Sequence, residues 1–173
     1  MTAKVLILGS SGLIGHQIYN YLDTNSNFDI VDISYRNKPN NQTIQIDATN
    51  EYNFLKAIEK ISPNFIINCI GILNHEADRY IEKTIFLNAL LPHKLKKLAD
   101  NMNARLIHMS TDCVFSGLKG SPYIETDIKD GRDTYAKTKG IGEVICNNHL
   151  TIRTSVVGPE LKENGSELFS WFM

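Results

Sequence analysis

A short aliphatic run that leads directly into three evenly spaced glycines is the feature that most limits how this chain can fold. Residues 5–15 read VLILGSSGLIG, with two residues between Gly9 and Gly12 and two between Gly12 and Gly15. The aliphatic run predicts a buried strand, and the apolar spacing that follows the glycines predicts a helix. A strand, a tight glycine turn and a helix in this order are typical of the first unit of an α/β domain.

Strand and helix patterns then alternate along the chain. The predicted strands are 4–8, 28–35, 43–46, 65–68, 105–109 and 150–153, and the predicted helices are 13–22, 52–61, 81–99 and 135–146. Alternation of this kind favours a parallel sheet covered by helices on both faces. With right-handed crossovers, the prediction is a doubly wound Rossmann fold in three layers, α/β/α. The Gly-, Pro-, Ser- and Asp-rich stretch 117–133 predicts a long loop, either functional or disordered.

The glycine turn has the residue types that a pyrophosphate requires. The first glycine permits the tight turn, the second lets the backbone approach the ligand, and the third lets the helix pack closely on the strand. The helix N-terminus adds free N–H groups and the positive end of the helix dipole. The sequence therefore predicts a dinucleotide site. An ordinary strand–turn–helix connection is the alternative. The predicted contacts are Gly9, Gly12, Leu13 and Ile14.

The end of the second predicted strand carries the residues expected to distinguish NAD from NADP. Ser34 and Arg36 follow Gly15 at about the 20-residue distance at which a ribose contact is expected, whereas Asp32 comes too early. A guanidinium binds phosphate through two hydrogen bonds, so this pair favours the 2′-phosphate of NADP. NAD stays the alternative cofactor, and an exposed loop arginine is the alternative interpretation of Arg36.

Two later strand ends supply further predicted cofactor contacts. Asp47 and Ala48 follow the third strand, where Asp47 is expected either to bind the adenine amino group or to cap the next helix. Ile70 and Gly71 follow the fourth strand, where small residues would let a cofactor lie against the backbone. A tight exit from the strand is the alternative for this pair.

A tyrosine and a lysine in the string DTYAKTKG form the candidate catalytic pair. Tyr135 and Lys139 are four residues apart on a predicted helix and therefore share one face. A neighbouring ammonium would lower the pKa of the tyrosine and make it a better acid. Ser110 and Thr111 come at the carboxyl end of a strand, where open α/β sheets bind ligands. Alternatively, these two hydroxyls only satisfy nearby backbone groups.

Five motifs together resemble one enzyme family. They are GSSGLIG at Gly9, STDCVFSG at Ser110, GSPYIETD at Gly120, YAKTKGIGE at Tyr135 and IRTSVVGPE at Ile152. In this order the chain is similar to the extended short-chain dehydrogenases/reductases, and within them to the dTDP-4-dehydrorhamnose reductase group. The resemblance implies an NADP-dependent reductase of a nucleotide-activated 4-keto-sugar, acting in cell-surface polysaccharide biosynthesis. A nucleotide-sugar epimerase is the alternative enzyme, and an NADP-binding regulatory subunit resembling that of methionine adenosyltransferase is the alternative of another class.

The resemblance also assigns roles to particular residues. It implies catalytic Thr111, Tyr135 and Lys139, with Tyr135 and Lys139 also binding the cofactor. The residues it implies near the substrate are Asn88, Thr111, Cys113 and Val114. Asn88 could equally bond to neighbouring backbone. Cys113 stands where that group usually has tyrosine, which leaves the identity of the sugar open.

The resemblance predicts two domains, of which the second is largely absent. Residues 1–158 are expected to form the cofactor-binding domain with the catalytic residues, and 159–173 to begin a truncated substrate domain. The final letters, LFSWFM, are apolar and need a surface to pack against. They are expected either to fold back on the first domain or to belong with the missing one.

Composition excludes several other classes of protein. The net charge of -1 gives no electrostatic reason to bind nucleic acid or an anionic membrane. Cys69, Cys113 and Cys146 are scattered, and the five histidines form no ligand pattern, so neither a disulfide framework nor a metal site is expected. A reducing cytoplasm is the expected location. The expected partner is a nucleotide-sugar, and a homodimer is one expected assembly.

Overall fold

A six-stranded parallel sheet organises the structure. The computed structural model describes residues 2–158. The strand order is β3-β2-β1-β4-β5-β6, so the order reverses between β1 and β4. The strands are β1 (Lys4–Leu8), β2 (Asp29–Ser34), β3 (Ile44–Gln45), β4 (Phe65–Asn68), β5 (Arg105–Ser110) and β6 (Leu150–Arg153). This order confirms the predicted doubly wound fold, which places a ligand crevice at the reversal point. The predicted domain segment 159–173, with LFSWFM, lies outside the described residues.

Helices connect the strands. They are α1 (Leu13–Asn25), α2 (Glu51–Ile61), α3 (Asn74–Arg79), α4 (Ile81–Thr84), a π-helical turn (Ile85–Leu90), α5 (Leu91–Asn101) and α6 (Thr134–Gly142), with a 3₁₀ turn at Asp112–Val114. The sequence patterns did not predict α3 or the 3₁₀ turn, since both are shorter than the periodic segments that such patterns detect. No helix among residues 2–158 combines the length and the apolar character needed to cross a bilayer.

Two hydrophobic clusters lie on opposite faces of the sheet. Successive side chains of β1 divide between them, because side chains of a strand alternate in direction. Val5 and Ile7 pack with residues of α1 on one face. Leu6 and Leu8 pack on the other face with buried residues of α2, the π turn and α5. The structure is therefore three-layered, as predicted, and the buried strands read as continuous aliphatic runs.

The glycine turn after β1 requires glycine for two different reasons. Gly9 has a φ of +83°, in the left-handed region that L side chains avoid. At Gly15, a Cβ would lie 2.1 Å from the carbonyl oxygen of Gly9. The first glycine therefore serves the turn and the third serves the close packing of α1, as the sequence indicated.

The helix predicted at 135–146 is shorter in the structure and ends at Gly142. Thr151 in β6 explains this difference. Its hydroxyl accepts a hydrogen bond from the Val144 backbone N–H (3.1 Å) and donates one to the Val144 carbonyl (2.8 Å). Both backbone groups that would extend the helix are thus bonded to a side chain of the sheet edge.

The helix predicted at 81–99 is interrupted rather than regular. A π-helical turn separates α4 from α5, and Pro92 occupies the first turn of α5, where its missing N–H costs little. Gly142 of α6 packs against this turn: a Cβ there would lie 1.9 Å from the carbonyl oxygen of Asn88. The π turn therefore lies in close contact with α6, and π bulges of this kind are frequent at functional sites.

Candidate functional site

A cavity of about 490 Å³ opens at the carboxyl ends of the strands. It brings together residues from the glycine turn, from the ends of β4 and β5, from α6 and from the segment after β6. Its lining residues include Ser11, Gly12, Leu13, Ile14, Cys69, Ile70, Gly71, Ser110, Thr111, Cys113, Tyr135 and Lys139. The cavity lies where the strand order reverses, the position at which doubly wound sheets bind their ligands.

The glycine turn forms one wall of the cavity. Gly12 is the N-cap of α1, and no side chain caps that helix end. The first N–H groups of a helix have no partner within the helix, so they are available to an anion placed beside Gly12, Leu13 and Ile14. Gly9 lies one turn below and donates its N–H to the Ile33 carbonyl at 2.8 Å, which ties the turn to β2. These residues fit the pyrophosphate of a dinucleotide.

Asp32 supports the turn from below. It pairs with Ile7 across the sheet and is 3% exposed. Its carboxylate accepts hydrogen bonds from Ser10 Oγ at 2.5 Å and from Asn40 Nδ2 at 3.3 Å. With these partners Asp32 ties the glycine turn to β2 and to Asn40.

Tyr135 and Lys139, four residues apart on α6, also line the cavity. The Lys139 ammonium donates to the Met109 carbonyl at 2.6 Å, which fixes it at the end of β5. Burial lowers the pKa of Lys139 to about 8, although the nearby Cys69 and Glu143 oppose this shift. At neutral pH the buried ammonium is therefore still mainly charged and can act electrostatically on Tyr135 or on a bound ligand.

Thr111 begins the short turn that carries Cys113. Its hydroxyl donates to Asp112 Oδ1 at 3.2 Å and accepts from the Cys113 N–H at 3.2 Å. Asp112 Oδ2 accepts a hydrogen bond from the Ser155 hydroxyl, which follows β6. This hydrogen bond and those from Thr111 and Cys113 hold the pKa of the Asp112 carboxyl below its usual range. Burial opposes the shift, with a smaller effect than that of the Ser155 hydrogen bond. The Thr111 hydroxyl therefore caps the short turn, and Thr111 lines the cavity as well. Val114 is buried below the turn.

Asn88 lies behind the cavity and positions its wall. The side chain is fully buried. Its Oδ1 accepts from the Ile72 N–H at 2.8 Å, and its Nδ2 donates to the Ile72 carbonyl at 2.9 Å and to Thr138 Oγ1 at 3.3 Å. A Cβ on Gly71 would lie 3.4 Å from Asn88 Oδ1 and 3.9 Å from Lys139 Nζ. The amide thus joins the π turn, the strand exit and α6.

The predicted adenosine contacts lie along the β2 side of the sheet. Ser34 is buried and donates its hydroxyl to the Asn37 carbonyl, whereas Arg36 is exposed. The carboxylate of Asp47 accepts from the Thr49 N–H at 2.9 Å, while the cap position of α2 belongs to Asn50. Ala48 is buried in the larger core cluster.

The structure adds a cation that the sequence patterns did not identify. Arg36 Cζ lies 5.3 Å from the centroid of the Tyr35 ring, and Lys83 Nζ lies 4.8 Å from the same centroid. Burial acts to raise the pKa of Asp47, but hydrogen bonds from Thr49 and Tyr35 and the charge of Lys83 together hold it below its usual value. No local motif relates Lys83 to Arg36, because the two meet only when α4 packs beside the end of β2.

Residues after β6 also line the cavity. They are Thr154, Ser155, Val156 and Val157. They follow the carboxyl end of a strand, and that placement was the available signal for them. Among residues 2–158, no three His, Cys, Asp or Glu side chains come together as they would around a metal ion.

Comparisons with known proteins agree with this geometry. The family described as "RmlD substrate binding domain" matches residues 3–169. The chain is 28% identical over 158 residues to a dTDP-4-dehydrorhamnose reductase from Aggregatibacter actinomycetemcomitans, covering 88% of this chain and 51% of that protein. It is 30% identical over 149 residues to methionine adenosyltransferase 2 subunit beta from Xenopus laevis, covering 84% and 43%.

A solved structure shows the same fold. The dTDP-4-dehydrorhamnose reductase from Bacillus anthracis, solved in complex with NADP, superposes with a TM-score of 0.75 at 23% identity, covering 88% of this chain and 53% of that one. The chain spans about half the length of the curated relatives it matches. With residues 3–169 matched, the chain belongs to the RmlD substrate binding domain family, which confirms the resemblance inferred from its motifs.

Proposed function

We propose that this chain forms the cofactor-binding and catalytic half of an NADP-dependent reductase that acts on a nucleotide-activated 4-keto-sugar. The observation that carries the proposal is that one cavity is lined by both the glycine turn and by Thr111, Tyr135 and Lys139. The names of the relatives, dTDP-4-dehydrorhamnose reductases, support a deoxysugar linked to dTDP as the substrate. Synthesis of sugars for cell-surface polysaccharides is the proposed role.

The residues of the cavity fit a dinucleotide. Gly12, Leu13 and Ile14 would hold the pyrophosphate through backbone N–H groups, and Ile70 and Gly71 would lie against the cofactor. Arg36 and Lys83, which both lie near the Tyr35 ring, would bind the 2′-phosphate. Bound NADPH supplies a hydride for the reduction of a carbonyl group.

The remaining chemistry belongs to three side chains. Tyr135 would donate its phenolic proton to the oxygen of the reduced carbonyl, while the Lys139 ammonium stabilises the phenolate that remains. The Thr111 hydroxyl, now bonded to Asp112, would turn to donate to the same oxygen and orient it. Cys113 and the residues after β6 would lie beside the sugar.

A non-catalytic, NADP-binding regulatory subunit is the second candidate. The 30% identity to methionine adenosyltransferase 2 subunit beta favours it. The presence of Thr111, Tyr135 and Lys139 on one cavity favours the reductase, because a regulatory subunit has no need of an aligned acid and ammonium.

Substitution of Tyr135 by phenylalanine tests whether the protein is a reductase or a regulatory subunit. In the whole protein, Tyr135→Phe should leave NADPH affinity unchanged and reduce NADPH oxidation with a dTDP-4-keto-6-deoxysugar by about 10²–10⁴-fold, the usual contribution of a general acid. Absorbance at 340 nm measures turnover, and fluorescence titration measures binding. Tyr52→Phe, at an exposed position on α2, is the matched control.

Three results would separate the candidates. Turnover lost only in Tyr135→Phe supports the reductase. Equal turnover in Tyr135→Phe and wild type shows that the proton comes from elsewhere. NADPH binding without turnover by the wild-type protein favours the regulatory subunit.

A further inference from the structure

A carboxylate is buried next to the part of the cavity wall that Ser110 forms. Glu143 follows α6, and its side chain is 1% exposed. Its Oε1 accepts from Ser110 Oγ at 2.9 Å and from Arg153 Nε at 2.7 Å, and its Oε2 accepts from Arg153 Nη2 at 2.7 Å. Lys129 Nζ lies 3.2 Å from Oε2. A charge buried to this extent is tolerated because each oxygen has charged or hydroxyl partners.

Each partner of Glu143 belongs to a different part of the cavity's surroundings. Ser110 ends β5, lines the cavity and precedes Thr111. Arg153 ends β6 and precedes the lining residues that begin at Thr154. Lys129 comes from the long loop and also donates to the Gly140 carbonyl at 2.5 Å. One carboxylate therefore connects two strand ends, the loop and the helix that carries the candidate catalytic pair.

Arg153 extends this connection along the long loop. Its Nη1 donates to the Glu125 carbonyl at 3.1 Å, and its Cζ lies 4.9 Å from the centroid of the Phe115 ring. Phe115 in turn stacks on Tyr123, with ring centroids 4.3 Å apart. Arg153 and Lys129, both partners of Glu143, therefore connect the loop to the rest of the domain. The composition of the loop by itself was compatible with either a functional or a disordered segment.

We propose that Glu143 is a positioning residue of the reductase site, whose buried carboxylate fixes Thr111 and segment 115–133, which contains the long loop, relative to Tyr135 and Lys139. The role rests on the proposed function. Glu143 is not itself a catalytic group, because both oxygens are directed at Ser110, Arg153 and Lys129. It acts through these neighbours, and a bidentate arginine pair restricts its geometry more than a single contact would.

The charge of Glu143 also acts on Lys139. The charged or titratable groups around that ammonium are Cys69 after β4, His108 on β5 and Glu143, with Arg153 and Lys129 balancing the carboxylate. Tyr135 lines the same cavity as Lys139. Burial lowers the pKa of Lys139 to about 8, and Glu143 limits that decrease. Removal of the anion should therefore let Lys139 lose its proton at a lower pH.

Glu143→Gln and Glu125→Gln form a matched pair. Both remove one carboxylate, but the Glu125 side chain is exposed, and its hydrogen bond to Arg153 comes from the backbone carbonyl, which the substitution keeps. In the whole protein, Glu143→Gln should lower kcat by about 10²-fold, the cost of a 1 Å misplacement in a reactive geometry, with KM for NADPH changed little. The pH at which NADPH affinity falls should also decrease. Glu125→Gln should change neither quantity.

Ser110→Ala is the second variant, since loss of the Glu143 charge next to Arg153 could prevent folding. It removes only the link to β5 and keeps the ion pairs. Hydrogen exchange followed by mass spectrometry should show faster exchange at 109–113 in this variant, and at both 109–113 and 115–133 in Glu143→Gln. Global stability in urea is measured on the same samples.

The outcomes distinguish this role from the proposed function. If the wild-type protein shows no reductase activity, the proposed function fails, and local exchange still decides whether Glu143 orders both segments. Exchange that rises evenly over the chain, or a pH midpoint and a kcat that stay at wild-type values in Glu143→Gln, would overturn the positioning role. Local exchange with a shifted midpoint supports it.

Discussion

At the scale of single residues, the β2 side of the sheet shows how two cations come to share one aromatic ring. Arg36 and Lys83 both lie within 5.3 Å of the Tyr35 centroid. An aromatic face attracts cations and holds them at a defined place without neutralising them. The pair therefore remains positively charged and available to a phosphate group. This arrangement is what the proposed preference for NADP over NAD requires.

Arg36→Ala and Lys83→Ala should each weaken NADPH binding more than NADH binding. A charge-assisted contact is of order 1.5–3 kcal/mol, so each loss of NADPH affinity should be about 10- to 150-fold. Fluorescence titration with both cofactors measures the difference. Lys56→Ala, which removes an exposed lysine paired with Glu59 on α2, is the control. Parallel losses for NADPH and NADH would contradict a 2′-phosphate contact.

At the scale of elements, the approach of α1 to β1 sets the shape of the glycine turn. No side chain can be accommodated at Gly15, where a Cβ would meet the Gly9 carbonyl oxygen at 2.1 Å. Gly140 in α6 is different, because its Cβ would find only the flexible Lys129 side chain at 3.6 Å and Val114 at 3.8 Å. The two positions are therefore a natural pair for testing helix packing.

Gly15→Ala should destabilise the fold and abolish cofactor binding, because α1 must move away from the turn that holds the pyrophosphate. Overpacking typically costs about 1–3 kcal/mol, and contact with rigid backbone places this case at the upper end. Gly140→Ala should preserve or raise stability, since alanine is favoured over glycine in helices by about 1 kcal/mol. Urea unfolding and NADPH titration measure both variants. Wild-type stability in Gly15→Ala would show that α1 can shift freely.

At the scale of the whole molecule, a buried neutral histidine links the fold to pH. His108 on β5 is fully buried, and its Nδ1 lies 3.1 Å from Asn68 Nδ2. Among the described residues its Nε2 has no hydrogen-bond partner. Burial, with a smaller contribution from Lys139, lowers the pKa of His108 to about 3. The folded protein therefore keeps this ring neutral at pH values where the unfolded chain binds a proton.

The free energy of unfolding should consequently fall as the pH is lowered through the range between 6.5 and about 3. In this range the unfolded state binds one more proton than the folded state, which gives a slope of up to about 1.4 kcal/mol per pH unit. His108→Gln, which keeps an acceptor without titrating, should remove this contribution. His93→Gln, at an exposed position on α5, removes only a minor contribution to the His108 shift and should keep most of the slope. Urea unfolding at several pH values measures the slopes, and equal slopes in His108→Gln and wild type would contradict the assignment.

Local sequence determined the elements and much of the cavity. Aliphatic runs at β1 and β4 are buried on both faces and therefore read as strands without reference to the rest of the chain. Gly9, Gly12 and Gly15 marked the turn because its backbone geometry admits few other residues. The four-residue spacing of Tyr135 and Lys139 placed them on one helix face, since helical periodicity is itself a local property.

Only the tertiary structure decided which distant groups meet. Lys83 approaches Tyr35, Asn88 bonds to Ile72, and Thr151 ends α6 at Gly142, all through the packing of elements that are separate in sequence. The hydrogen-bond partners of the buried Glu143 carboxylate were decided in the same way, because Ser110 and Arg153 end two strands that are neighbours in the sheet. Local patterns specify the period and the ends of an element, whereas such contacts depend on strand order, helix packing and burial.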